Sequence, residues 1–315
     1  MNTDPYPSEW LKPWSWHGIP VGIIAAPAKT IETPDNNNTK SSPAVLIHGF
    51  GACKEHWRHN IETLREERSV YAIDLIGFGS SGKPISHLEG EEEATNGVRY
   101  GIDLWSKQVA DFVTTELGTP VHLVGNSIGG VVALAAAQKL EKAGIPARGV
   151  ILVNCAQRAL DDKRLSEQPR LLRWGRPLLK TLTRQRWLTT RLFKTFANPR
   201  AIHKVLLEAY PSGANVDDEL VQLLLRPALA PGAEEAFRGF INLFNDWTAP
   251  ELLEVLQTPV TMIWGERDPW EPIQEARRWR RFSCVVALHE LKGLGHCPHD
   301  EAPEQVNPLL LAALG

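Results

Sequence analysis

Val121-His122-Leu123-Val124-Gly125-Asn126-Ser127-Ile128-Gly129-Gly130-Val131-Val132-Ala133-Leu134 carries the strongest structural signal in the chain. It runs from a short apolar segment, through Gly-Asn-Ser-Ile-Gly, into an alanine-rich segment at helical spacing, and so reads as a strand, a tight corner and a helix. Such a corner forces its central residue into a strained backbone conformation. Side chains at its flanks would collide across it, so Gly125 and Gly129 are required to be glycine. The hydroxyl of Ser127 then stands at the end of a sheet, beside a helix N-terminus whose free N–H groups and dipole favour a developing negative charge. Gly-x-Ser-x-Gly arises by chance in roughly one chain in ten of this length. The strand before it and the helix after it therefore carry the reading.

Outward from the corner, apolar runs at 44–47, 69–73, 150–154, 260–264 and 284–288 read as further buried strands. Segments 55–67, 101–117, 128–143, 272–281 and 302–314 read as helices, the first of them polar. Residues 14–26 read as two short strands around a turn, 33–43 as an exposed loop, and 88–97 as an acidic surface loop. Strand and helix in alternation imply a mostly parallel sheet covered on both faces. From 156 to 259 the rhythm breaks into helical segments separated by Pro169, Pro177, Pro199, Pro211, Pro227, Pro231 and Pro250. The expected organisation is a core in two parts, 1–155 and 259–315, with a helical cap inserted at 156–258.

The chain has 315 residues, 43% hydrophobic and 23% charged, enough for one large α/β domain. A net charge of -3 gives no reason to expect a nucleic-acid partner. Cys53, Cys155, Cys284 and Cys297 are widely spaced, which fits a reducing compartment and neither a zinc site nor a disulfide framework. No apolar run approaches the ~20 residues of a membrane span, and the first residues lack a secretory signal pattern, so the expectation is a soluble chain. Between Arg158 and Arg200, however, twelve Lys or Arg face three acids. In this basic cap Leu171, Leu172, Trp174, Leu178, Leu179, Trp187, Leu188, Leu192 and Phe193 are expected to line a pocket for a long apolar chain. Arg173, Arg176, Arg184 and Arg191 are expected to rest on anionic lipid headgroups. The plainer alternative is a solvated basic helix face.

A serine hydroxyl becomes a nucleophile when a base takes its proton, and that base needs an acid to fix its tautomer and stabilise its cation. In a parallel sheet these groups gather outside the carboxyl ends of strands, and after a serine corner the expected order is acid, then histidine. Asp268, in Gly265-Glu266-Arg267-Asp268-Pro269-Trp270, follows a strand end. His296, in Gly293-Leu294-Gly295-His296-Cys297-Pro298-His299, follows after room for one helix and one strand. Rivals are Glu266 and Asp246 for the acid, and His299 for the base, though His299 also suits a structural hydrogen bond. The oxyanion needs two aimed donors, for which the N–H groups of Ile128 and of Phe50, in His48-Gly49-Phe50-Gly51, are the candidates. No cofactor is expected. The His56/His59 pair and the His296, His299 and Asp300 spacing lack the further ligands a metal would need. Cys297 reads as a buried free thiol, Asp74 as a loop holder, and Gly77-Phe78-Gly79 as no nucleotide loop, since no helix starts after Gly82.

The segments 48–51, 125–130, 265–270 and 295–301 together resemble the α/β-hydrolase superfamily over nearly the whole chain. Asp268-Pro269-Trp270 and Gly295-His296-Cys297-Pro298-His299-Asp300-Glu301, with asparagine before the serine, resemble the pheophytinase and chlorophyll dephytylase branch of photosynthetic organisms. That resemblance implies an α/β-hydrolase fold with an inserted helical cap and a hydrophobic ester substrate, the phytyl ester of a chlorophyll or pheophytin. It implies Ser127 as nucleophile, Asp268 as acid, His296 as base, and a place on the cytoplasmic or stromal side, peripheral to a photosynthetic membrane. The arginine-rich insertion does not match the branch. Two alternatives stand beside this: a lipid, lactone or small-ester hydrolase or acyltransferase of the same fold, and a non-catalytic binding protein on that fold. Aspartate-nucleophile relatives are disfavoured by the serine at 127.

Overall fold

In a computed structural model of the chain, which describes residues 6–29, 41–93 and 95–315, the apolar runs pair into one seven-stranded sheet. Most of the loop expected over 33–43 lies outside the described residues. Strands β1 (Trp14–Trp16) and β2 (Ile19–Val21) form a separate antiparallel hairpin. Then come β3 (Ile23–Ala26), β4 (Ala44–Ile47), β5 (Val70–Ile73), β6 (His122–Asn126), β7 (Gly149–Val153), β8 (Val260–Gly265) and β9 (Val285–Leu291). Their order across the sheet is β3-β5-β4-β6-β7-β8-β9, parallel throughout except for the edge strand β3, which runs antiparallel to β5.

Helices α1 (Ile61–Leu64), α2 (Ile102–Phe112) and α3 (Ile128–Lys142) belong to the first half of the chain. Between β7 and β8 lie α4 (Arg170–Arg184), α5 (Arg186–Phe196), α6 (Pro199–Ala209), α7 (Asp218–Ala228), α8 (Ala233–Ile241) and α9 (Ala249–Leu253), with no strand among the described residues. Helices α10 (Ile273–Trp279), α11 (Pro298–Glu301) and α12 (Pro303–Leu314) complete the chain. Because successive strand residues point to opposite faces, each central strand feeds two cores and must be apolar throughout. Val45, Ile47, Leu123, Val150, Leu152, Met262 and Trp264 pack with α2, α3, α9 and α10. Ala44, Leu46, Val124, Ile151, Val153 and Ile263 pack with α1 and α12 on the other face.

The centre of this arrangement is the corner from β6 into α3. Ser127 is held at φ 55° and ψ -125°, a conformation that costs a non-glycine residue on the order of 1–3 kcal/mol unless its surroundings enforce it. They do so by proximity. A Cβ on Gly125 would lie 2.2 Å from the carbonyl oxygen of Gly129, and one on Gly129 would lie 2.5 Å from the carbonyl oxygens of Ile47 and His48. The first turn of α3 is thus seated on the end of β4, and side chains buried nearly all round its length lock it there.

Two local expectations change in three dimensions. The N-terminal segment supplies a third strand, β3, because Ile23 and Ile24 are needed on both faces of the sheet edge. Residues 55–67 are not one polar helix: a 3-10 turn at Lys54–Trp57 precedes the single turn of α1. The break lets the Asn60 amide donate to the His299 carbonyl (2.9 Å) and to Asn307 (2.7 Å), and it buries Trp57, Ile61 and Leu64. The acidic stretch from 88 lies at the surface as expected, anchored by buried Leu88 and by Glu91, which both accepts the Leu88 N–H (2.9 Å) and pairs with Arg238 on α8.

Gly129→Ala is expected to cost at least about 2 kcal/mol of unfolding free energy, since its new methyl overlaps main chain that cannot move aside. Gly144→Ala, at φ 77° with open space around it, is expected to cost about 1 kcal/mol. Urea unfolding of both variants measures the contrast.

Candidate active site

The corner places Ser127 at the carboxyl end of β6, and its neighbours are fixed around it. The Asn126 amide donates to the carbonyls of Val153 (3.1 Å) and His296 (3.0 Å), which ties the corner to the end of β7 and to the loop carrying the histidine. On the opposite side, the Gly49 turn comes so close that a Cβ there would lie 3.1 Å from the Ser127 Cβ. His48 holds that turn. Its Nε2 accepts the Leu75 N–H (3.1 Å), so the ring proton is on Nδ1 and is donated to the Gly49 carbonyl (2.7 Å). Burial lowers the pKa of His48, keeping it neutral. Neither the Phe50 N–H nor the Ile128 N–H is hydrogen-bonded among the described residues.

Asp268 and His296 meet across the loops that follow β8 and β9. His296 Nδ1 donates to Asp268 Oδ2 at 2.7 Å, which leaves Nε2 of the neutral ring as the basic nitrogen. Asp268 is fixed by three further donors: the Trp270 N–H (2.9 Å) and Glu271 N–H (3.0 Å) on Oδ1, and the Asn154 amide (2.7 Å) on Oδ2. Asn154 sits at φ 43° just beyond β7, and its own Oδ1 accepts the Gly265 N–H (2.9 Å), so it bridges two strand ends. The Trp270 ring stands edge-on to His296 with centroids 4.9 Å apart, which restrains the imidazole plane. Ser127 and His296 do not hydrogen-bond in this structure, yet both line one cavity of about 400 Å³.

The rivals for these positions are occupied elsewhere. Asp246 accepts the Ile102 N–H (2.9 Å) at the start of α2, and Glu266 does not reach the cavity. The His299 side chain makes no hydrogen bond; both its ring nitrogens lack partners among the described residues, and it is packed between Trp57 (4.3 Å) and His56 (4.9 Å). Burial holds its pKa well below the usual histidine range. Asp74 accepts the N–H groups of Lys54 (2.7 Å) and Ser80 (2.8 Å) and so holds a loop, and burial raises the Cys297 thiol well above its ordinary pKa.

The cavity walls differ from those expected. Val205, Leu206 and Ala209 of α6, Leu224 of α7 and Phe240 of α8 line it with Phe50, whereas Leu171, Leu172, Trp174, Leu178, Leu179, Trp187, Leu188, Leu192 and Phe193 do not. A helix buries whichever face its neighbours can satisfy, and on α4 that face holds Arg176, bonded to Asp162 (2.9 Å), so the leucines turn away. A larger cleft, about 760 Å³ and bounded by Trp16, Glu89, Tyr100 and Asp246, contains none of the residues around Ser127.

Three contributors escaped the sequence reading. Asn154 left only the faint signal of an asparagine at a strand end, where a positive φ is tolerated. His56, beside the cavity, donates from Nε2 to the Tyr210 hydroxyl (2.8 Å), which donates to Asp300 (3.0 Å). Burial pushes the pKa of His56 down to about 4, so it is a neutral wall. Glu271 lines the cavity with Oε2 bonded to the Gln157 N–H (2.8 Å); burial, together with the nearby charge of Asp268, pushes its carboxyl up to about 8.

A doubly covered parallel sheet, with a strained serine at the carboxyl end of a central strand, defines a hydrolase architecture. The chain belongs to the alpha/beta hydrolase family, which residues 44–309 match. It is 27% identical over 304 residues to the chloroplastic pheophytinase of Arabidopsis thaliana, an alignment covering 85% of this chain and 60% of that protein. It is 29% identical over 276 residues to the dihydrolipoyllysine-residue acetyltransferase component of an acetoin cleaving system from Pseudomonas putida, covering 87% and 63%. The chain thus spans less than two thirds of the length of these two relatives. Among solved structures, a serine hydrolase involved in carbazole degradation shares the fold with a TM-score of 0.70 at 18% identity, over 96% of this chain and 98% of that one.

Glu271 makes stability depend on pH. Its carboxyl takes a proton more readily in the folded chain than in the unfolded one, so between roughly pH 4.5 and pH 8 the native state binds more protons and stability falls as pH rises. Glu271→Gln is expected to flatten that slope, read as a smaller difference between urea midpoints at pH 5 and pH 8.5 than in the wild type.

Proposed function

We propose that the chain is a serine carboxylic-ester hydrolase working through an acyl-enzyme. The observation that carries this is the 2.7 Å contact from His296 Nδ1 to an Asp268 carboxylate with three other donors on it, the imidazole lining the same cavity as Ser127. Ser127 Oγ attacks the ester carbonyl carbon while His296 Nε2 takes its proton, and Asp268 stabilises the imidazolium that forms. Charge on the former carbonyl oxygen is met by the N–H groups of Phe50 and Ile128, the second at the positive end of α3. Collapse of the tetrahedral species breaks the bond to the alcohol, which leaves with the proton from His296. Water then repeats the sequence on the acyl-serine, returning Ser127 and releasing the acid.

The substrate we infer is the phytyl ester of a chlorophyll or pheophytin. Its support is the resemblance of segments 265–270 and 295–301 to the pheophytinase branch, the similarity to the plant pheophytinase, and aliphatic and aromatic cavity walls suited to an isoprenoid chain. A second reading, hydrolysis or acyl transfer on lipid or small esters, is favoured by the acetyltransferase relative.

Incubation with chlorophyll a, pheophytin a and a short p-nitrophenyl ester side by side separates the two readings: free phytol from either pigment favours the first, and turnover of the short ester alone the second. A fluorophosphonate probe is expected to label the wild type and not Ser127→Ala. Ser127→Ala and Asp268→Asn are expected to lose roughly 10⁴-fold or more in kcat. Failure of the probe to label the wild-type chain would leave the non-catalytic alternative standing.

A further inference from the structure

Helix α4 is built with its apolar side outward. Its one buried side chain is an arginine, Arg176, which donates to Asp162 (2.9 Å) and lies over the Phe244 ring at 4.6 Å. Leu171, Trp174, Leu178 and Leu182, spaced as one helical stripe, are 80%, 82%, 64% and 43% exposed. On α5, Trp187, Leu192 and Phe196 are exposed as well. A surface helix of a globular protein normally turns such a stripe to its core, and an apolar surface this continuous, with polar residues around it, marks a contact site.

The charge around the stripe narrows what the contact is with. From Arg170 to Arg200 there are nine Lys or Arg and no acid. Arg176 and Lys180 pair with Asp162, Arg184 with Glu91, and Arg186 with Glu235. Arg170, Arg173, Arg191, Lys194 and Arg200 are exposed, and none has an acidic partner among the described residues. Tryptophan and leucine flanked by unpaired cations is the pattern of a helix lying at the headgroup level of an anionic bilayer, where the rings and aliphatic groups enter the acyl boundary and the cations meet phosphate. A second copy of this chain would set cations against cations.

We propose that the outer faces of α4 and α5 form a docking surface for an anionic lipid bilayer. The surface joins the cavity through a run of aromatic rings. Phe193, on α5, stands 5.3 Å from Phe237, Phe237 stands 6.2 Å from Phe50, and Phe50 stacks at 3.8 Å on Phe240 in the cavity wall. Resting on the ester-hydrolase reading above, this places a membrane-dissolved ester a short apolar path from Ser127. The docking itself requires no catalysis.

The test is sedimentation of the full chain, carrying Ser127→Ala, with vesicles of phosphatidylglycerol and phosphatidylcholine and with vesicles of phosphatidylcholine alone. Binding to the anionic vesicles is expected, with at least tenfold weaker affinity in 0.5 M salt than in 0.05 M. Trp174→Ser with Leu178→Ser, and separately Arg170→Glu with Arg173→Glu and Arg191→Glu, are each expected to weaken it at least tenfold. In the Ser127 background both sets are expected to keep circular dichroism and p-nitrophenyl ester turnover at wild-type levels. No sedimentation with anionic vesicles, or equal sedimentation of parent and both variants, overturns the proposal. So does a concentration-dependent dimer in analytical ultracentrifugation that Trp174→Ser with Leu178→Ser abolishes. Binding of anionic vesicles by a wild-type chain that turns over no ester would count against the hydrolase reading alone.

Discussion

The structure depends on the absence of two methyl groups. Gly125 and Gly129 let the first turn of α3 sit against the ends of β4 and β6 at separations no side chain could share. That contact holds Ser127 at its positive φ and brings the Gly49 turn within van der Waals range of it. It is steric rather than attractive, so its stability comes from elsewhere: from α3, buried nearly all round, and from strands apolar on both faces. The strain at one residue is small beside the burial that enforces it.

Around that corner the site is assembled by hydrogen bonds between strand ends far apart in sequence. Asn126 joins β6 to β7 and to the His296 loop, Asn154 joins β7 to β8 and to Asp268, and His48 joins β4 to β5. Each is a buried polar side chain with its groups engaged, so moving any one loop would strand donors or acceptors away from water. Burial also sorts the charges: His48, His56 and His299 are held neutral and the Glu271 carboxyl is pushed up, while Asp268 sits among four donors. Four imidazoles and two acids thus lie near one another without sharing one electrostatic role.

The helices between β7 and β8 follow two different rules. Helices α6, α7 and α8 turn apolar residues inward, over the cavity. Helix α4 turns an arginine inward and leucine and tryptophan outward, because Asp162 and the Phe244 ring satisfy the guanidinium while nothing among the described residues covers the stripe. Among the described residues no helix is long and apolar enough to cross a membrane.

Local pattern was enough for the buried strands, since continuous apolar runs have one good use in a parallel sheet, and for the Gly-Asn-Ser-Ile-Gly corner, since sterics allow little else. It also put Asp268 and His296 at successive strand ends, from which the chain brings them within 2.7 Å. Which amphipathic face of a helix is inner was settled by packing, because the residue spacing on α4 shows that two faces differ and not which one finds a partner. Packing decided likewise that residues 55–67 break to admit Asn60 and Trp57, that His299 is packed rather than bonded, and that Asn154 and Glu271 belong beside Asp268. Those outcomes turn on contacts between segments a hundred or more residues apart, or on burial that no local spacing encodes.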